Sequence, residues 1–288
     1  MERRLAVTGA SGALGRFVVH ESLRRGYKVI ALSRHRPSDP VCAQHWREFD
    51  LLKPGNQWNE LLSKCDSVIH LAAAKSATKN LKSSILWKTN VEGTLRLIEA
   101  LGVAQVPHLI LCSAANVPEK EWRGPYVSRA LYLSSKLAQE WVASAACAEL
   151  GIENAIMRIS SVVGDGRSAL DCIAKAILSG GPVEIANGDS FGADFVSARD
   201  VASGLMLAFE HRLTGVYNLS SGSRTSLGQA ARQMAQLAGE SPNIIKVIER
   251  SDNHDDGFPP ADCSPLKQFG YCPTNISVVL SEMVKSSG

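Results

Sequence analysis

The chain has no run approaching the roughly 18 consecutive apolar residues of a membrane-spanning helix, so no membrane partner is expected. Its formal charge of +3 over 288 residues is small and evenly spread, which argues against a nucleic-acid surface. The seven cysteines, Cys42, Cys65, Cys112, Cys147, Cys172, Cys263 and Cys272, are odd in number and lack the paired spacing of a metal site or disulfide framework. Buried or incidental thiols are expected there, and no metal. No internal repeat is visible, which excludes solenoids and propellers. The first apolar run, Leu5-Ala6-Val7, leaves no room before it for a signal peptide, so a cytoplasmic location is expected. What is present is a 45% hydrophobic composition, enough to bury the core of one large or two modest domains.

Residues 8 to 15 read Thr-Gly-Ala-Ser-Gly-Ala-Leu-Gly, after that apolar run and before helical apolar spacing from Arg16 to Arg24. This is a strand, a glycine turn and a helix start. Gly9 takes the positive φ of a tight turn, Gly12 lets backbone approach a phosphate, and Gly15 lets helix and strand pack closely. A pyrophosphate would lie on the N–H groups of Ser11, Gly12, Ala13 and Leu14 at the helix's positive end. A second buried strand, Tyr27 to Leu32, ends in Ser33-Arg34-His35-Arg36, about 20 residues beyond the glycines. An NAD site wants a carboxylate at this point, for the ribose hydroxyls, whereas guanidinium groups suit a 2′-phosphate. NADP(H) is therefore the expected cofactor, with Arg34 as main contact, Arg36 as a second, and NAD(H) as the alternative. The bland reading of both arginines is solvated loop residues.

Strands alternate with helices further on. Ser67 to Leu71, Leu109 to Cys112 and Asn154 to Ile159 read as strands, and Asn90 to Leu101 and Leu131 to Leu150 as helices. That rhythm gives an α/β fold, a doubly wound parallel-sheet Rossmann fold covered on both faces. The polar stretch from Ser251 to Pro265 reads as a long loop. Within the long helix, Tyr132 and Lys136 lie four apart on one face. An ammonium beside a phenol lowers the phenol's pKa and makes it a usable proton donor to a carbonyl oxygen.

On these motifs the chain resembles the extended short-chain dehydrogenase/reductases, along nearly its whole length. The glycine turn matches that family's Thr-Gly-x-x-Gly-x-x-Gly, Asp50-Leu51 its adenine-contacting pair, and His70-Leu71-Ala72-Ala73 its His-x-Ala-Ala strand end beside the cofactor. Asn90 to Thr94 matches Asn-x-x-Gly-Thr, Asp194-Phe195-Val196 with Asp200-Val201 matches Asp-Phe-Val-x-x-x-Asp-Val, and Tyr217 to Gly222 matches Tyr-Asn-x-x-Ser-Gly. The resemblance implies that Tyr132 exchanges a proton with the substrate oxygen while hydride passes to or from nicotinamide, and that Lys136 holds the nicotinamide ribose. It places Leu71, Ala72, Ala73, Asn90, Ile159 and Ser161 beside the cofactor. It also implies a dinucleotide-binding domain from residues 1–160 with about 193–220, and a smaller C-terminal substrate-binding part from about 161–192 and 221–288. Helices near Ser83 to Leu101 and Leu131 to Leu150 would form a homodimer interface.

Several positions depart from the family pattern. Its catalytic Ser or Thr falls on Ala114, which leaves Ser113, Asn116 or a water to serve the substrate oxygen. Ser161 stands where asparagine is usual, and Ala193 where many nucleotide-sugar members carry a diphosphate-binding arginine; Arg167 or Arg199 would have to compensate, or neither does so. Ala115 and Asn116 occupy the Asp-Glu positions of dehydratases. A ketone reductase is the reading left, with a small-molecule carbonyl substrate: a nucleotide-linked 4-keto sugar first, a non-sugar carbonyl or an epimerase reaction as alternatives, and a non-catalytic cofactor-binding protein last.

Overall fold

Leu5, Ala6, Val7 and Thr8 have no solvent exposure, the pattern of a strand covered on both faces. They belong to β1 (Arg4–Thr8) in a computed structural model that describes residues 3–53, 55, 57–75, 83–115, 117, 127–248 and 257–287. After it come α1 (Ala13–Arg24), β2 (Lys28–Ser33), α2 (Pro40–Gln44), β3 (Trp46–Glu48), α3 (Gln57–Leu62) and β4 (Ser67–His70). Next are α4 (Ser83–Trp87), a π-helical turn (Lys88–Glu92), α5 (Gly93–Val103), β5 (His108–Ala114), α6 (Val127–Leu150) and β6 (Glu153–Ile159). β7 (Ser161–Val163), α7 (Ala169–Leu178), β8 (Val183–Ala186), β9 (Gly192–Ala193), β10 (Phe195–Ser197) and α8 (Ala198–Glu210) follow. The chain closes with β11 (Gly215–Leu219), β12 (Thr225–Ser226), α9 (Leu227–Leu237), β13 (Ile245–Ile248), α10 (Ser264–Lys267) and α11 (Ile276–Ser287).

The main sheet has seven strands in the order β11-β6-β5-β4-β1-β2-β3, and β3, β2, β1, β4 and β5 pair in parallel. This is the expected doubly wound Rossmann-like sheet. Its strand order reverses between β1 and β4, so the crevice beyond their C-terminal ends is the topological switch point where such sheets bind ligands. The helix expected from Asn90 begins as the π-helical turn and becomes α-helical at Gly93. Of the polar stretch expected as a loop, 251–256 lie outside the described residues, and Ser264 and Pro265 open α10. Among the described residues no helix is long and apolar enough to cross a membrane. The cysteines are unpaired, with Cys172 and Cys272 exposed and the other five buried.

Two compact units emerge. The first comprises Met1–Trp122, Val127–Arg158 and Ala202–Tyr217. Its core joins Phe49 and Trp58, stacked 4.1 Å apart, to Leu97, Ile98 and Leu101 of α5, Leu109 and Leu111 of β5, and Ala143 and Cys147 of α6. The late segment is held by Glu210, which accepts from Arg25 at 2.8 Å and from the Tyr27 hydroxyl at 3.0 Å, while the Arg3 guanidinium lies 3.9 Å from the centre of the Phe209 ring. Arg158 of β6 pairs with Glu140 of α6 at 2.9 Å, largely out of water.

The second unit comprises Arg123–Tyr126, Ile159–Val201 and Asn218–Gly288. Leu170, Ala174 and Ile177 of α7, Ala231 and Met234 of α9, and Leu280 and Met283 of α11 make its core. A capping box, Ser168 with Asp171, starts α7. Asp194, 1% exposed, is the anchor of the unit's loops. Its carboxylate accepts from Ser221 N and Oγ at 2.7 Å each, Gly222 N at 3.0 Å and Ala261 N at 3.1 Å.

A buried imidazole fastens the first unit's sheet at the switch point. His70, at the end of β4, lies 2.7 Å from Thr8 Oγ1 through Nδ1 and 2.9 Å from Thr94 Oγ1 through Nε2. Thr94 gives its own hydrogen to Asn90 O at 2.7 Å, so it accepts from Nε2–H, and Nδ1 accepts the Thr8 hydroxyl hydrogen. Burial, with the Lys136 ammonium as second cause, pushes the His70 pKa down to about 3. The sign follows from linkage. Below its ordinary pKa of 6.5 the unfolded chain takes up a proton that the folded chain refuses, so stability falls as pH drops from about 6.5 toward about 3. The slope contributed is at most about 1.4 kcal/mol per pH unit. Urea midpoints measured from pH 7.5 to 4.5 are expected to fall more steeply for the wild type than for His70→Asn; parallel slopes would refute a neutral His70.

Candidate active site

The glycine turn is set by close approach. Gly9 has φ of +72°, and a Cβ placed on it would lie 2.8 Å from the Ala72 nitrogen. A Cβ on Gly15 would lie 2.3 Å from the Gly9 oxygen. Both positions therefore demand glycine. Gly12 donates its N–H to Gly9 O at 2.9 Å and is the N-cap of α1, with no side chain capping the helix. Gly12, Ala13 and Leu14 at the start of α1 are half-buried, and Ser11 is exposed beside them. A turn packed backbone against backbone, leading into a helix start with no side-chain cap, fits a pyrophosphate.

Around this turn the structure places the other residues of the first unit that the sequence expects beside a cofactor. Leu71, Ala72 and Ala73 follow β4, with Leu71 N donating to Thr8 O at 3.3 Å and Ala72 N to Thr8 Oγ1 at 3.2 Å. Asn90 is fully buried; it accepts from Ala74 N at 2.8 Å and donates to Ala74 O at 3.1 Å and to Ser135 Oγ at 2.9 Å. It thus ties the strand-end loop to α6. At the end of β2, Arg34, His35 and Arg36 are exposed, and no other described residue engages either guanidinium. Ser33 is buried and donates to His35 O at 2.8 Å. Asp50 accepts from Leu52 N at 3.0 Å, and Leu51 packs beneath Gly93.

Tyr132 and Lys136 share a face of α6, one turn apart. Lys136 is 3% exposed. Its ammonium donates to Cys112 O at 2.7 Å and to Gln139 Oε1, and Gln139 donates to Thr94 Oγ1 at 2.7 Å. Burial is the main cause that lowers the Lys136 pKa to about 8, so it stays charged at neutral pH. Burial pushes the neighbouring Cys112 thiol up to about 12. The Ser113 hydroxyl is buried with no hydrogen-bond partner among the described residues, an omission that costs about 1–3 kcal/mol unless something else meets it. By strand alternation Ser113 shares a face with Leu109 and Leu111, which pack with residues of α5 and α6, and Ala114 takes the other face. Asn116 lies outside the described residues.

In the second unit, Ile159 ends β6 half-buried, and Ser161 opens β7, donating its N–H to Asp194 O at 3.0 Å. Arg167 is exposed and its N–H meets Asp165 Oδ1 at 2.9 Å, while Arg199 pairs with Glu282 at 3.0 Å. Ala193 is 1% exposed and belongs to the unit's apolar core. Sequence reasoning did not find Gln139 or the part played by Thr94. Gln139 carried one signal, its place three residues after Lys136 on the same helical face.

A profile described as the NAD dependent epimerase/dehydratase family matches residues 5–220. The chain is 26% identical over 274 residues to UDP-glucuronic acid decarboxylase 1 of Xenopus tropicalis, covering 87% of this chain and 64% of that protein. It thus spans less than two thirds of that relative's length. It is 25% identical over 298 residues to dTDP-L-rhamnose 4-epimerase of Burkholderia thailandensis, covering 82% of each. Among solved structures, MoeE5 in complex with UDP-glucuronic acid and NAD is similar with a TM-score of 0.82 at 26% identity, over 99% of this chain and 100% of that one. With the glycine cradle, the switch-point sheet and a profile match across most of its length in agreement, the chain belongs to the NAD dependent epimerase/dehydratase family, among the extended short-chain dehydrogenase/reductases.

Proposed function

We propose that this enzyme is an NADPH-dependent reductase of a ketone, with a nucleotide-linked 4-keto sugar as substrate. The observation that carries the reading is the end of β2, where two exposed guanidiniums, Arg34 and Arg36, stand in place of the ribose-binding acid. NADPH when bound supplies the hydride. Tyr132 holds the proton that the developing alkoxide takes, and the ammonium of Lys136 beside it favours the phenolate left behind. One ammonium hydrogen has no acceptor among the described residues and would bond the nicotinamide ribose of a bound cofactor. Ser113, on the helix-facing side of β5, gives its unpaired hydroxyl to the substrate oxygen in place of the residue absent at Ala114. An epimerase using retained NAD is the second reading, supported by relatives such as the dTDP-L-rhamnose 4-epimerase.

Exposed apolar side chains on α4, α5 and α6 support a homodimer: Trp87, Leu95, Leu131 and Trp141, the last 73% exposed.

Three outcomes are expected. In thermal-shift titrations NADPH raises the melting temperature at lower concentration than NADH, and Arg34→Ala removes that difference while keeping the NADH response; equal responses in the wild type favour NAD and the epimerase reading. With NADP saturating, one of UDP, CDP, GDP or dTDP adds a further rise, and Tyr132→Phe lowers NADPH oxidation with the matching 4-keto sugar by about 10²-fold or more. No rise with any nucleotide moves the substrate to a non-sugar carbonyl. Sedimentation is expected to find a dimer that Trp141→Asp converts to monomer; a monomeric wild type disposes of the interface.

A further inference from the structure

We propose that Gln139 is a positioning residue for Lys136: its carboxamide fixes the ammonium at the end of β5 and joins it, through Thr94, to His70 and Thr8 beside the glycine turn. The inference rests on the reading of Tyr132 and Lys136 as the catalytic pair.

The orientation of the carboxamide is dictated from both ends. Lysine can only donate, so the atom of Gln139 that meets Lys136 is the oxygen. Thr94 has one hydrogen and gives it to Asn90 O, so the atom of Gln139 that meets Thr94 is the nitrogen. Thr94 Oγ1 then accepts from both Gln139 and His70 and has no capacity left. Thr94 is therefore saturated and the hydrogens around it have one arrangement, which holds the carboxamide of Gln139 in place. Lys136 has a long, flexible stem, and two of its three hydrogens are fixed by Cys112 O and Gln139 Oε1. The third is left with a defined direction. Without Gln139 the ammonium keeps the Cys112 carbonyl alone and is free to turn about that bond.

The charged and titratable groups acting on Lys136 are Glu140 of α6, Cys112 of β5 and Lys75 in the loop after β4, with His70 of β4 coupled to it, and Tyr132 lies one turn before it on α6. None of them occupies the place of Gln139. Removing its oxygen withdraws an acceptor from the charged form of the lysine, and replacing it with a carboxylate strengthens that acceptor.

The test reads Lys136 directly, by the 13Cε resonance of labelled lysine as a function of pH in the whole cofactor-free chain. In Gln139→Met the titration midpoint of Lys136 is expected to fall by about one unit or more, and in Gln139→Glu to rise above wild type. A folded Gln139→Met with the wild-type midpoint overturns the proposal, whatever its melting temperature, because a merely structural role moves stability and not the titration. Should Gln139→Met fail to fold, an unchanged midpoint in the isosteric Gln139→Glu overturns it equally. If the midpoints move as expected while Tyr132→Phe leaves NADPH oxidation intact, the positioning stands and the proposed reaction falls.

Discussion

The imidazole of His70 accepts a hydrogen from Thr8 and gives one to Thr94, and only a neutral ring does both. Thr8 is the last residue of β1 and the gateway to the glycine turn; Thr94 lies in the first turn of α5. Strand, neighbouring strand and covering helix are thereby locked at one depth, at the edge where the sheet's strand order reverses. Gln139 extends the lock to α6, and α6 carries Tyr132 and Lys136. The geometry of the Tyr132–Lys136 pair thus depends on a proton that is absent from a histidine. Burial secures that absence through neutral pH, and the Lys136 ammonium reinforces it, since two cations would share a dry space.

The glycine turn adds a steric constraint to this polar one. Gly9 presses its backbone against Ala72, and Gly15 presses against Gly9, so turn, helix and the loop after β4 are packed without room for a methyl group. The same closeness leaves α1 without a side-chain cap. Tight packing and the missing cap have one cause: backbone atoms occupy the space that side chains fill elsewhere.

This explains what was legible in the sequence. Apolar runs such as Leu5-Ala6-Val7 and Val68-Ile69 report burial directly, and the strands lie within a residue or two of where those runs place them. Gly9 and Gly15 were legible because only one residue type satisfies their backbone and space, and the Tyr132–Lys136 pair because helical periodicity is local. The illegible parts join distant residues through ambiguous side chains. A glutamine 45 residues from Thr94 announces nothing until the fold brings the two to 2.7 Å. Asp194 looked like part of a motif, yet it anchors Ser221, Gly222 and Ala261 at once. β3, β9 and β12, two or three residues each, carry too few side chains to show a period.

The departures from the family pattern fall at Ala114, Ser161 and Ala193, and the surroundings of Ala193 show how deep one of them goes. Ala193 is part of an apolar core with Phe195, Ala230 and Phe258. An arginine placed there would bury a guanidinium among these groups, at a cost of several kcal/mol unless an acid came with it. The difference at 193 is therefore more than a missing contact, because the residue is a buried member of that core. Any phosphate on the substrate must be met by groups other than residue 193. Of the two arginines that could stand in for it, Arg199 is paired with Glu282, and Arg167 is exposed with its N–H on Asp165.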